Sequence, residues 1–173
     1  MPNAIYNDLK DASIYITGGG SGIGAALTEG FVAQGARVAF IGRSDATTFC
    51  DELEKKYGNR PLFLQGDITD TTALKVSIDK AAKVHGPITT LINNAANDKR
   101  HSAEEVTTEF WDWMIEVNLK AYFFTCQAIL PHMRNAGFGS IINFSSISYM
   151  MGNAGYPIYT ACNSAINGLS RSL

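Results

Sequence analysis

The sequence predicts an α/β fold in which helices cover both faces of a doubly wound parallel sheet. Five short apolar runs alternate with longer amphipathic segments, and a glycine-rich turn follows the first run. No repeat or linker rich in Pro, Gly or Ser divides the chain. Such regular alternation favours parallel strands joined by right-handed crossovers.

Each apolar run is brief, rich in β-branched or aromatic residues, and nearly continuous in apolar character. Strands that are covered on both faces have this composition, because neither face meets water. The predicted strands are SIYIT (13–17), RVAFI (37–41), PLFLQ (61–65), ITTLIN (88–93) and SIINFS (140–145).

The amphipathic segments are predicted to be helices, with Thr69 or Asp70 as an N-cap and Gly35 at a C-terminus. A last helix starts near Pro157, and the chain stops within it. We therefore expect residues 1–173 to be a single domain, the N-terminal portion of a longer chain, with a C-terminally incomplete sheet. A complete small domain with a frayed helix is the alternative. The other predicted helices cover 22–34, 46–56, 70–85 and 107–134.

The composition excludes several classes of function. The 173 residues are 46% hydrophobic, enough for one core, and the net charge of -2 favours neither nucleic acid nor an anionic membrane as a partner. Three cysteines without a C-x-x-C spacing predict a cytoplasmic protein without a disulfide framework or zinc site. The three histidines lack metal-ligand spacing, so we expect no metal and place them at the surface or as caps: His85, His101 and His132.

The strongest local signal is ITGGGSGIGAAL, which joins the first strand to the first helix. Gly18 permits a tight turn, Gly22 lets the backbone approach a pyrophosphate, and Gly24 lets the helix pack close to the strand. Ser21 and Ile23 lie between these glycines and are assigned to the same site. In this strand-turn-helix context we predict dinucleotide binding, the alternative being a plain turn.

The end of the second strand predicts which dinucleotide is bound. An acidic side chain there would bind the ribose 2′-OH of NAD, whereas an arginine accommodates the 2′-phosphate of NADP. The sequence AFIGRSD offers Arg43 and Ser44 first, and Asp45 lies further along. NADP is therefore the predicted cofactor, with NAD as the alternative, unless Arg43 is an ordinary solvated residue.

Polar loops follow the fourth and fifth strands, at the edge where such sheets bind ligands. LINNAANDKRH places Asn94 and Ala95 beside the predicted cofactor, although an N-cap with a turn would also explain them. INFSSIS carries three hydroxyls without a nucleophile elbow. We therefore expect Ser146 and Ser148 to hydrogen-bond a substrate oxygen rather than to be acylated.

Tyr159 stands at the mouth of the last helix and is either a core aromatic or a proton donor. A phenol has a free pKa of about 10, so proton transfer near neutral pH needs a cation beside it. The helix position one turn on, i+4, would suit that cation, but it holds the neutral Asn163.

Taken together, TGGGSGIG, NNAA, the VNL at 117–119, SSIS and a tyrosine thirteen residues after Ser146 resemble the short-chain dehydrogenase/reductase family. The resemblance covers essentially the whole chain. It implies a Rossmann-type sheet, an NAD(P) cofactor, a small-molecule substrate and hydride exchange between an alcohol and a carbonyl. It also implies that Ser146 holds the substrate oxygen, that Tyr159 is the general acid/base, and that Asn118 steadies a water in the proton relay.

The resemblance further implies that Asp67 and Ile68 contact the adenine and that the full-length form is a homo-oligomer. Its long helix carries an aromatic stripe suited to core or subunit packing, made of Trp111, Trp113, Tyr122, Phe123 and Phe124. The family has lysine where this chain has Asn163, and usually glycine at Ala96. A catalytically impaired cofactor-binding or subunit-pairing fragment is therefore the alternative to an active enzyme.

Within the family, the start AIYNDLK and the stretch NNAANDKRH resemble sugar 1-dehydrogenases. This resemblance implies that Asn97 and Arg100 face a polyol substrate. The alternative is that these residues brace the loop through a contact between Asp98 and Arg100.

Overall fold

The computed structural model describes residues 4–173, which form one five-stranded parallel sheet with helices on both faces. The spatial strand order is β3-β2-β1-β4-β5, so it reverses between β1 and β4. The strands are β1 (Ser13–Thr17), β2 (Arg37–Gly42), β3 (Leu62–Gln65), β4 (Thr90–Asn93) and β5 (Ser140–Asn143). The predicted fold class is confirmed.

Two predicted strand boundaries are wrong by two residues. β4 starts at Thr90 rather than Ile88, and β5 ends at Asn143 rather than Ser145. One further bond, from the Phe144 N–H to the Asn93 carbonyl at 2.9 Å, follows β5 before the chain leaves the sheet. Ser145 and Ser146 consequently lie in a loop beyond the sheet edge.

The helices lie close to the predicted positions, but the long segment predicted over 107–134 contains a π turn, Glu116–Lys120. The side-chain amide of Asn118 donates to the Met114 carbonyl at 3.0 Å, the acceptor that a regular α-helix offers to the Asn118 backbone N–H. The helices are α1 (Gly22–Ala33), α2 (Thr47–Tyr57), α3 (Thr71–His85), α4 (Thr108–Ile115), α5 (Ala121–Ala136), α6 (Ser148–Met151) and α7 (Pro157–Ser172).

The core lies on both faces of the sheet, as the continuous apolar strands predict. All five residues of β1 are buried. Because side chains alternate along a strand, Tyr15 joins the cluster beneath α3 and α5, whereas Ile14 and Ile16 join the cluster beneath α1 and α2. This arrangement fixes the carboxyl ends of the central strands, where the predicted site residues lie.

The start of α3 resolves the two predicted N-caps in favour of Asp70. Its carboxylate accepts from the backbone N–H groups of Thr72 and Ala73 at 3.0 and 2.9 Å. These N–H groups have no acceptor within the helix, so the carboxylate satisfies donors that would otherwise need water. Gly35 follows α1 with φ 81°, as predicted for a helix end.

We expect Asp70→Ala to lower the free energy of unfolding by about 1 kcal/mol, because two helix N–H groups lose their acceptor. The matched control is Asp79→Ala in the same helix. Asp79 forms an exposed ion pair with Lys75, whose loss should cost about 0.5 kcal/mol or less. Urea unfolding followed by circular dichroism measures both, and equal losses would contradict the assigned cap.

Candidate functional site

A cleft of about 400 Å³ opens at the carboxyl ends of the central strands, where the strand order reverses. Its wall combines the glycine turn, the end of β2, the start of the loop after β3 and the loop after β4. Eleven residues predicted from the sequence line it: Gly18, Ser21, Ile23, Gly24, Arg43, Ser44, Asp67, Ile68, Asn94, Ala95 and Asn97.

The glycine turn leaves no room for side chains on its inner side. Gly18 has φ 71°, which a residue with a Cβ rarely adopts. A Cβ on Gly24 would overlap the Gly18 carbonyl oxygen and lie 2.7 Å from Nδ2 of Asn94. The close approach at Gly24 is therefore to the turn itself and its neighbouring loop, not to the strand as predicted. Gly22 has φ 53° and open space where its Cβ would stand.

Hydrogen bonds join the glycine turn to the loop after β4. The Thr17 hydroxyl accepts from the backbone N–H groups of Asn94 and Ala95 at 3.0 and 3.1 Å. In return, Nδ2 of Asn94 donates to the carbonyls of Thr17 and Gly18 at 3.0 and 3.3 Å. The Asn94 side chain thus braces the wall of the cleft.

Sequence reasoning missed Thr17 and Gly19. A Cβ on Gly19 would lie 2.8 Å from Oγ1 of Thr28, so this position also requires glycine. The sequence did carry a signal for Gly19, because it is the middle glycine of the GGG run. Thr17 had no such signal, because a threonine at the end of a strand is an ordinary β-forming residue.

The end of β2 presents Arg43 beside Asp67. The Arg43 side chain is 70% exposed, and its Nη1 lies 4.0 Å from Oδ2 of Asp67. Asp45 also lines the cleft, but its carboxylate accepts from the N–H and hydroxyl of Thr47 at the start of α2. The Thr47 hydroxyl and N–H hold the pKa of Asp45 below its ordinary value.

The cleft fits the phosphates of a dinucleotide. The N-cap residue Ser21 makes no side-chain hydrogen bond to α1, so its oxygen leaves the first N–H groups of that helix free. Those groups and the positive end of the helix dipole face a turn without side-chain bulk, which is the arrangement that binds pyrophosphate.

A second group of predicted residues lies beside the cleft wall. Ser146 accepts from the Ser148 N–H at 3.2 Å, and Tyr159 belongs to the cluster built on Met114, Ile158 and Cys162. α7 packs against α4 and against the π turn that carries Asn118. Oδ1 of Asn118 accepts from the Asn97 N–H at 2.8 Å, which connects this group to the cleft. Burial and the neighbouring Tyr159 phenol both raise the pKa of Tyr122.

Asn163 is 4% exposed, and its side chain turns back along its own helix. Its Nδ2 donates to the Tyr159 carbonyl at 2.9 Å, and its own carbonyl accepts from the Ser145 hydroxyl at 2.9 Å. The amide therefore supports the helix backbone and brings no charge to the Tyr159 phenol.

Arg100 and Ser148, two residues predicted to bind substrate, are not in the wall of the cleft. The Arg100 guanidinium lies 3.9 Å from the centre of the Tyr156 ring, so it stacks on that ring instead of pairing with Asp98. The hydroxyl of Ser148 is buried without a hydrogen-bond partner. Oδ1 of Asn97 accepts from the Lys99 N–H at 2.9 Å.

Trp113, which the sequence placed in core or subunit packing, also forms part of the cleft wall. The three cysteines are buried, and burial raises the pKa of both Cys126 and Cys162 to about 11, which disfavours thiolate chemistry.

Within residues 4–173, no three His, Cys, Asp or Glu side chains are grouped to hold a metal, and no helix could span a membrane.

Comparisons with known proteins identify the family of this chain. The family model for short chain dehydrogenases matches residues 12–173. The probable galactose dehydrogenase GalD of Rhizobium meliloti is 43% identical over 100% of this chain and 68% of its own length. D-xylose 1-dehydrogenase of Caulobacter vibrioides is 39% identical over the same shares. The solved NADH-dependent reductase A1-R′, complexed with NAD, superposes with a TM-score of 0.89 at 25% identity, covering 96% of this chain and 72% of that one. The chain thus spans about two thirds of the length of these curated relatives.

Gly24→Ala should abolish dinucleotide binding and lower the free energy of unfolding, because the new methyl group overlaps the turn. Gly30→Ala in the same helix is the control, since its Cβ meets nothing within 4 Å. The control should bind as the unchanged chain does and gain up to about 1 kcal/mol from helix propensity. Calorimetric titration and urea unfolding measure both effects, and undisturbed binding by Gly24→Ala would refute the assigned turn.

Proposed function

Because this chain belongs to the short-chain dehydrogenase family, we propose that it is an oxidoreductase that exchanges hydride between NADP and an aldose 1-hydroxyl. The observation that carries the proposal is the meeting of two groups at one edge of the sheet. The dinucleotide turn and the Ser146–Tyr159 group are joined there through the bond from Asn97 to Asn118. The sugar dehydrogenases among the relatives support the substrate class.

In the proposed reaction, Ser146 hydrogen-bonds the substrate oxygen and Tyr159 takes its proton as a general base. When bound, a nicotinamide would supply the acceptor for the hydride of the carbon that bears this oxygen, so that the alcohol would become a carbonyl. Asn118 holds a water that passes the proton onward. Its Oδ1 already accepts from Asn97, and its Nδ2 donates to Met114, so the side chain is fixed in one orientation.

A polar substrate is consistent with the residues around this group. Asn97 lies in the cleft wall, and its Nδ2 has no protein acceptor among the hydrogen bonds of the described residues. We propose that Asn97 binds a sugar hydroxyl, with Arg100 and the buried Ser148 hydroxyl as further contacts. Arg100 would bind the sugar while its guanidinium stays stacked on the Tyr156 ring.

NADP is the proposed cofactor because Arg43 is free to meet a 2′-phosphate. The arginine is largely exposed, and its contact with Asp67 at 4.0 Å is a weak surface pair. The Asp67 carboxylate accepts from the N–H and hydroxyl of Thr69, both at 2.9 Å, so it is held at the adenine side of the cleft. Ser44 adds a hydroxyl, and Ile68 an apolar floor, to the same end.

We further propose that residues 1–173 act as one NAD(P)-binding unit of a cytoplasmic homo-oligomer. Trp111 on α4 and Phe123 on α5 are each 45% exposed, which leaves aromatic surface for a second subunit.

The second candidate function, a catalytically impaired cofactor-binding subunit, rests on the neutral Asn163 beside Tyr159. The named relatives do not favour it over the enzyme.

Substituting Asn163→Lys tests the function most directly. An ammonium one turn from Tyr159 would stabilise the phenolate, so we expect NADP-dependent oxidation of galactose or xylose to rise by roughly 10²–10⁴-fold. Tyr159→Phe added to that variant should remove the gain, because no proton acceptor remains. Reduced cofactor is followed by absorbance. Saturable NADP binding without turnover in either chain would favour the impaired subunit.

Cofactor preference is tested by Arg43→Ala. Losing the guanidinium should weaken NADP binding about tenfold or more and leave NAD binding nearly unchanged, since only NADP carries the 2′-phosphate. Arg60→Ala, which removes an arginine paired with Asp51 outside the cleft, is the control. Calorimetric titration with each cofactor measures the two affinities, and equal losses of affinity for NAD and NADP would exclude the 2′-phosphate contact.

A further inference from the structure

The loop after β4 does more than line the cleft, because its far end contacts the segment that enters α7. The His101 N–H donates to the Gly155 carbonyl at 2.9 Å. Next to it, the Arg100 guanidinium covers the Tyr156 ring. The Tyr156 ring meets the Tyr159 ring edge-on, with centroids 5.5 Å apart. The loop thus contacts Gly155 and Tyr156, the two residues that lead into α7 and Tyr159.

The His101 imidazole adds a cap to α7. Its Nε2 lies 3.3 Å from the N–H of Ile158, the second residue of the helix. An N–H in that position has no acceptor within the helix, and the N-cap residue Tyr156 makes no side-chain hydrogen bond. A side chain 57 positions earlier in the sequence therefore supplies the acceptor.

The surroundings of the ring define its orientation and tautomer. Because Nε2 faces an N–H donor, it must carry no proton, which places the proton on Nδ1. Nδ1 lies 2.8 Å from the Lys99 carbonyl, an acceptor suited to that proton. The Phe110 ring packs against the imidazole at 4.9 Å between centroids, with 68° between the planes.

We propose that His101 is a positioning residue for Tyr159, acting through the Ile158 N–H. Tyr159 follows Ile158 directly, so the cap fixes the first turn of α7 and with it the starting point of the Tyr159 side chain. The same loop begins with Asn94 and Ala95, which lie in the wall of the proposed cofactor site. The role assigned to His101 rests on the proposed function of Tyr159.

Two substitutions separate the bonds of the ring. The amide of His101→Gln reaches the place of Nε2 and can accept from Ile158, whereas the shorter amide of His101→Asn reaches only the place of Nδ1. His132→Asn on α5 is a control for removing a histidine elsewhere. For each chain we would measure amide exchange at Ile158, the fluorine resonance of 3-fluorotyrosine at position 159, the Kd for NADP, and the unfolding midpoint.

We expect His101→Asn to speed exchange at Ile158 roughly tenfold and to shift or broaden the resonance at position 159, because a helix cap is lost. His101→Gln and His132→Asn should resemble the unchanged chain, and NADP affinity should stay within about twofold throughout. In the Asn163→Lys chain, His101→Asn should lower kcat about tenfold with KM nearly unchanged, and His101→Gln should restore it.

The proposal is overturned if folded His101→Asn leaves both signals unchanged, or if His101→Gln fails to restore them. Should His101→Asn not fold, amide exchange in the unchanged chain still tests the cap on Ile158. Its Ile158 amide must then exchange at least tenfold more slowly, relative to intrinsic rates, than the amide of Thr48, the second residue of α2, whose N-cap Ala46 offers no side-chain acceptor. Absence of turnover with an intact exchange pattern would contradict the proposed function and not the cap.

Discussion

The site depends on the hydrogen bonds that tie the ends of β1 and β4 together at the point where the strand order reverses. Thr17 accepts two N–H groups of the next loop, and Asn94 returns two bonds to the carbonyls of Thr17 and Gly18. Thr17 is the last residue of β1 and Asn94 directly follows β4, so both lie at the edge of the sheet, where buried donors and acceptors need partners. Without these bonds, the same groups would have to bind water within the cleft. The reciprocal bonds close its floor and leave the opening to a ligand.

From that floor the loop after β4 runs outward to two other elements. Asn97 donates to Asn118 in the π turn, and His101 accepts from the start of α7. The residues proposed for cofactor binding and those proposed for proton transfer are therefore held by one continuous stretch of chain. Few of these contacts involve an ion pair, so the geometry should depend little on ionic strength.

Much of this arrangement could be predicted from the sequence. Apolar runs such as RVAFI indicated strands within one or two residues of their ends, and the glycine turn was recognisable because positive φ and close approach leave a compositional signal. Thr17 left none, since it acts through a partner distant in the chain and is of a type common at strand ends. His101 was predicted only as a surface residue or a cap, and nothing in the sequence indicated that it would cap a helix 57 positions later. The π turn was equally hidden, because the apolar pattern continues through it and only the Asn118 side-chain bond shows why the helix widens.

The π turn has a consequence for the surface of the long helical segment. One extra residue in a turn rotates everything after it by about 100° about the helix axis. The buried side of α5, with Tyr122, Cys126 and Ile129, faces the sheet only because that rotation has occurred. A regular α-helix of the same length would instead turn these three side chains about 100° away from the core, whereas deleting one residue between 116 and 120 would leave a regular helix with them still facing it. The stretch around Asn118 thus sets the phase of the helix that follows it, because the π turn held by the Asn118 side chain takes up the one residue by which the segment exceeds a regular helix.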